Sequence, residues 1–297
     1  MKYTHLFPLL LSLFILSGCG STRPGGSFPT DAAPAEADGA PVVSGEGNPS
    51  SHPAIPKEGL PELPEGAVAE GTTVEYIRDL PAVVDNGREL TLRLHCRAVA
   101  SSYGTWNYGV GRIDVLEGEE LLQTLSVRDA VVAAEIQEWQ QMAALGDPYY
   151  QEKLESGELP EAVDDDAWTA CFEELYLPEI MDLNFDGADD IRLMELLGTV
   201  NGRYLHWLWD QRTQQFVYAF CLVGYDFQID TAARQLVSES RNGYGIYDTD
   251  YYQYDADGVL QRVKNVELSP SDSEGAAEGD FVTTVHEWVD GVWTETE

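Results

Sequence analysis

"YLHWLWDQRTQQFVYAFCLVG", residues 204–224, decides the fold class. It reads as two strands, 204–210 and 215–224, joined by Gln211, Arg212, Thr213 and Gln214. Successive side chains on a strand point to opposite faces, so a strand with one wet face alternates apolar and polar residues. Here both faces are apolar. Trp207 and Trp209 lie opposite Tyr204 and Leu208, and Phe216 lies opposite Val217. Such strands sit between two other layers, which predicts stacked sheets rather than a lone sheet facing water.

More hairpins flank this pair. Downstream, "QLVSESR", "YYQYDADGVLQRVKNVEL" and "TTVHEWVDGVWTET" read as strands, with turns at Asp257-Gly258 and Asp290-Gly291. Upstream, "TVEYI", "ELTLRLHCRAVA" and "GRIDVLEG" read as strands, and Glu117-Gly118-Glu119 turns another hairpin. Val131, Ile136, Trp139 and Met142 recur at helical spacing, which predicts a helix from about 128 to 145 that Gly146-Asp147-Pro148 stops. A shorter helical stretch lies near 149–156. The expected class is therefore mainly β: consecutive antiparallel hairpins, arranged as a sandwich or propeller-like, with a helical insert near 128–156. No clean internal repeat gives a blade number. The β-rich domain spans 72–297, divided into an N-terminal part, 72–165, and a later part, 166–297.

The residues before it are of another kind. Lys2 precedes an apolar run, 6–16, that is too short to span a bilayer comfortably. Residues 1–18 read as a secretory signal peptide. Leu16-Ser17-Gly18-Cys19 resembles a bacterial lipobox, which implies a lipid on Cys19 and an extracytoplasmic protein anchored to the membrane without spanning it. Residues 19–71 read as a disordered tether. The stretch 20–66 holds nine of the fifteen prolines, and most of the rest is Gly, Ser, Ala and Glu. As a flexible coil it reaches roughly 40 Å.

Formal net charge is −35, from 17 basic and 52 acidic residues, which excludes nucleic acid as a partner because phosphate neutralisation needs Lys and Arg clusters. Cys96, Cys171 and Cys221 remain after Cys19, so at most one disulfide forms within the chain; no CxxC points to zinc or thiol redox chemistry.

"DLNFDGADD", residues 182–190, carries the clearest chemistry. Asp182, Asn184 and Asp186 fall at positions 1, 3 and 5 of a calcium loop, Gly187 allows the sharp turn, Ala188 offers its carbonyl at position 7 and Asp190 stands at position 9. The helix–loop–helix version needs Glu at position 12, where Leu193 stands, and the flanks read as strands. This is a Ca2+ loop between strands, with Asp189 as the alternative ligand to Asp190 or a solvent-facing neighbour, or else a solvated acidic turn. The pattern D-x-N-x-D-G-x-x-D resembles the loops of FG-GAP and VCBS-type calcium-binding β repeats. With "YLHWLWDQRTQQFVYA", "VSESRNG" and "YQYDADGVLQRV", about 180–268 also resembles a group of bacterial lipoproteins that includes the periplasmic lysozyme-inhibitor-like immunity lipoproteins linked to type IV secretion. No inhibitor residue here matches that branch, so its activity does not carry over. "YDADGV", with Asp255 and Asp257, lacks the fourth ligand and reads as a plain hairpin turn.

No GxSxG, HExxH, P-loop or GxGxxG is present. The acids offer many carboxylate pairs for glycoside hydrolysis, and that abundance makes no single pair informative. Tyr244, Tyr247, Tyr251, Tyr252 and Tyr254 are too many among polar residues for all to be buried, and form the candidate ligand surface. The chain is thus expected to be a lipid-anchored, calcium-stabilised binding protein for an envelope protein or glycan. The other reading is a peptidoglycan or glycan hydrolase, or its accessory subunit.

Overall fold

The structure, a computed structural model, describes residues 69–102, 106–144, 146–158, 160, 178–197, 200–243, 245–271, 280–289 and 292–296. The signal peptide, Cys19, most of the tether, Cys171, Tyr244 and the Asp290-Gly291 turn lie outside them.

The described chain is mainly β, as the hairpin pattern predicts. Three antiparallel meanders follow one another. The first holds β1 (Thr73–Val84), β2 (Arg88–Ala100), β3 (Trp106–Glu117) and β4 (Glu120–Ser126). The second holds β5 (Glu179–Met181), β6 (Asp190–Leu197), β7 (Gly202–Asp210) and β8 (Gln215–Gly224). The third has six strands: β9 (Asp226–Asp230), β10 (Gln235–Gly243), β11 (Ile246–Tyr254), β12 (Leu260–Pro270), β13 (Phe281–Val289) and β14 (Val292–Thr296).

Two helices, α1 (Val127–Ala144) and α2 (Pro148–Ser156), follow β4, where the helical insert is predicted. Ser126 Oγ accepts the Asp129 amide at 3.1 Å and caps α1. Asp147 caps α2 by accepting the Tyr149 amide at 2.9 Å, with Pro148 at the first turn.

The middle meander is buried on both faces, which accounts for the apolar hairpin at 204–224. Ile191, Leu193, Leu205, Trp207, Trp209 and Phe216 pack with Leu92, Leu94, Ile113, Val115 and the α1 residues Val127, Ala130, Val131 and Ala134. Phe220 and Leu222 pack on the opposite side with Leu236 and Leu260 of the third meander, joined by Phe227, Ile229, Tyr252 and Tyr254. A bulge between His206 and Trp207 shifts the β7–β8 register and keeps both faces apolar.

Side-chain amides and a carboxylate imitate strand pairing where the layers meet. Gln123 of β4 donates to the Phe216 carbonyl at 2.8 Å and accepts the Phe216 amide at 2.9 Å. Asn201 makes the same pair with Arg241 of β10, at 3.1 and 2.9 Å. The Asp189 amide donates to the Val83 carbonyl at 2.9 Å, and its carboxylate accepts the Val83 amide at 2.6 Å. Each seals backbone groups that a sheet edge leaves without partners. Backbones also touch directly. The Tyr225 amide donates to the Glu239 carbonyl at 2.7 Å, and a Cβ on Gly224 would fall 2.6 Å from that same oxygen. Only glycine allows that approach.

Candidate metal loop

The loop 182–190 joins β5 to β6 and stands where all three layers meet. Leu183 is fully buried and belongs to the cluster between the second and third meanders, and Phe185 packs against that cluster. Ala188 belongs to the cluster between the first and second. Asp189 holds the edge of β1, as described above. Gly187 has φ +86, which explains why glycine follows the third acidic or amide position. Phe185 also has a positive φ, +63, so the loop holds a non-glycine residue in the left-handed region.

The oxygen-bearing side chains organise the loop's own amides. Asp182 accepts the Asp186 and Gly187 amides at 3.1 and 3.0 Å. Asn184 Oδ1 accepts the Asp186 amide at 3.0 Å, and the Asn184 side-chain amide donates to Asp186 at 3.1 Å. Asp186 accepts the Ala188 amide at 2.9 Å. Asp190 is completely buried; it accepts the Leu183 amide at 2.8 Å and the Trp209 amide at 2.7 Å.

Burial pushes the Asp190 carboxyl up to about 7, against the pull of the Trp209 and Leu183 amides, and the negative Asp186 and Asp182 raise it further. The Tyr254 hydroxyl is buried with no hydrogen-bond partner among the described residues; burial raises its pKa, with Asp190, Asp182 and Asp186 adding to the effect. Negative charge is thus concentrated around a point that holds an unsatisfied oxygen.

Among the described residues, no three His, Cys, Asp or Glu side chains stand gathered as a metal-holding group. The loop's donor chemistry nevertheless fits calcium. All its donors are hard oxygens, and each carboxylate oxygen keeps a second acceptor site after taking one amide bond. Asp182, Asn184 and Asp186 would supply side-chain oxygens, Ala188 a carbonyl and Asp190 the innermost carboxylate. The loop's order comes from amide bonds, and a cation would draw the side chains closer together.

The other predicted residues are distributed differently. Tyr252 and Tyr254 face the interior between the second and third meanders, and burial raises the Tyr252 pKa. Tyr247 and Tyr251 stand on the opposite face of β11, and Tyr247 is exposed. The tyrosines on β11 therefore divide between core and surface because strand side chains alternate. Asp255 accepts the Asp257 and Val259 amides, each at 2.9 Å, making the hairpin turn expected at "YDADGV". Cys96 is buried and Cys221 half-buried, and among the described residues neither stands in a disulfide. Asp189, the alternative ligand to Asp190 by sequence, is instead bonded to Val83. Sequence reasoning passed over Tyr254 as a neighbour of the loop and the clamping Gln123 and Asn201; Tyr254 belongs to the recognised tyrosine run, and the amides carry no sequence signal.

No family model matches the chain, and no curated protein matches it. Among solved structures, the chain resembles a Xanthomonas type IV secretion system related protein, at 12% identity over 76% of this chain and 99% of that one, with a TM-score of 0.34. It also resembles a protein of unknown function from Bacteroides fragilis NCTC 9343, at 7% identity over 41% of this chain and 88% of that one, with a TM-score of 0.20. At those scores neither likeness says what this chain does.

Proposed function

We propose that the protein is a membrane-anchored, extracytoplasmic lipoprotein whose calcium-stabilised β domain binds a protein or another cell-envelope ligand. The observation that carries the calcium reading is the position of the loop 182–190. One nine-residue turn touches β1 through Asp189, β7 through Asp190 and the third meander's cluster through Leu183. A cation there would neutralise the repulsion around Asp190 and hold three layers at one point. The anchor rests on Cys19 and the apolar run before it, and binding rests on a sequence without a catalytic motif.

Calcium titration with thermal unfolding tests the reading. Calcium at 100 times its dissociation constant adds about 2.7 kcal/mol of stability. The wild-type midpoint is expected to rise with calcium and return with chelator, while Asp186→Ala shows no rise. The same midpoint in calcium and in chelator for the wild type would sink the calcium site.

A further inference from the structure

Among the described residues, the first meander ends on an open edge at β1. Val83 turns its amide and carbonyl away from β2, toward Asp189. β1 pairs with β2 without a register shift, so Thr73, Glu75, Ile77 and Asp79 turn their backbone groups the same way. No described residue bonds those groups, and β1 is the terminal strand of its sheet. Asp189 closes the edge at Val83, and Pro81 has no amide to offer. Among the described residues the outward backbone groups of Thr73, Glu75, Ile77 and Asp79 stay open. Ile77 is 55% exposed in its middle.

Charges across the outer face of this sheet alternate. Asp79 pairs with Arg93 at 2.9 Å, and Arg93 stands opposite Asp114 on β3. Glu75 stands opposite Arg97. Each row therefore reaches the open edge on an acid. A strand added beside β1 would continue the alternation with a basic residue facing Glu75, another facing Asp79 and an apolar residue facing Ile77.

That pattern selects the occupant. A second copy pairing antiparallel about Ile77 would set Glu75 against the other copy's Asp79, and like charges directly opposite destabilise a ladder. The chain's own segment 20–66 carries nine prolines and only Arg23 and Lys57 as basic residues, far apart, so it cannot provide the charges. We propose that the open stretch of β1, Thr73 to Asp79, is a docking edge for an extended segment of a partner protein that carries two basic side chains four residues apart around an apolar one. The segment becomes a fifth strand of the first meander, held by backbone hydrogen bonds and selected by charge. This names the protein-ligand class of the binding function proposed above and rests on that reading.

The test uses the full chain and a short synthetic peptide with the core Lys-Thr-Val-Thr-Lys. Binding is expected with slowed hydrogen exchange at the Glu75, Ile77 and Asp79 amides. A Glu-Thr-Val-Thr-Glu core should bind about tenfold more weakly, since two cross-strand pairs change sign. N-methylation of the peptide amides that face β1 should abolish binding without altering the protein. Glu75→Lys should reduce the preference for the basic peptide. No binding, equal binding of the acidic or N-methylated peptide, or protection at another strand would overturn the docking edge. The calcium-dependent midpoint is a separate readout, so a peptide that fails while the midpoint still responds removes only this inference.

Discussion

His206 is completely buried between the middle meander and the third one, with its ring stacked on Phe220 at 4.5 Å between centroids. Nδ1 lies 3.3 Å from the Phe220 carbonyl, and Nε2 has no partner among the described residues. Burial holds its pKa well below the usual imidazole value, and the nearby Arg192 lowers it further. Arg192 is itself held between the Tyr204 and Phe227 rings, 3.5 and 4.4 Å from their centroids, and pairs with Glu179. The sign of the pH effect follows. Below about 6.5 the unfolded chain takes up a proton that the folded His206 refuses, so its contribution to stability falls as pH drops through that value. Asp190 acts in the opposite direction, because its folded pKa lies above its ordinary value. Replacing His206 with Phe isolates one from the other. The stability difference between His206→Phe and wild type is expected to shift in the variant's favour from pH 7 to pH 5, by up to about 1.4 kcal/mol per pH unit. A difference independent of pH in urea titrations would contradict the buried neutral imidazole. In the sequence His206 reads only as one of several scattered histidines, since burial on both sides comes from layers distant along the chain.

Where neighbouring meanders meet, side chains take the place of backbone. Gln123 is the plainest case, because it satisfies both the amide and the carbonyl of Phe216 on the neighbouring meander. Gln123→Ala removes both partners from part-buried groups, which costs about 1–3 kcal/mol. Gln123→Glu keeps an acceptor for the Phe216 amide and loses the donor, so it should fall between. Urea unfolding would show a lower midpoint at unchanged slope for both variants. An Ala variant as stable as wild type would mean that water replaces the amide fully. Strand identity was legible where alternation or turn residues mark it: β2, β7, β8 and the β11–β12 hairpin follow from the sequence. β9 (Asp226–Asp230) was not anticipated, because "DFQID" is short and polar at both ends. β1 extends past Ile77 to Val84, through Pro81, because an edge strand needs no amide on its outer side.

The whole chain bears −35 net charges, so compactness works against self-repulsion. Raising ionic strength from about 0.01 to about 0.15 M shortens the Debye length from about 30 to about 8 Å. The thermal midpoint in chelator should therefore rise over that range. A fall would show that intramolecular ion pairs such as the surface pair Arg88–Glu117 and the half-buried pair Arg203–Glu195 outweigh the repulsion. The sequence by itself determined the β class, the place of the helical insert, the middle layer and the loop at 182–190. Periodicity, turn residues and oxygen spacing are local properties, and a chain displays them before it folds. Tertiary structure alone decided that this loop sits at the meeting point of three layers, that Tyr252 and Tyr254 turn inward while Tyr247 turns outward, and that half of β1 is left open by the other described residues. Those depend on which surfaces meet, and the residues that meet are as far apart in the chain as Val83 and Asp189.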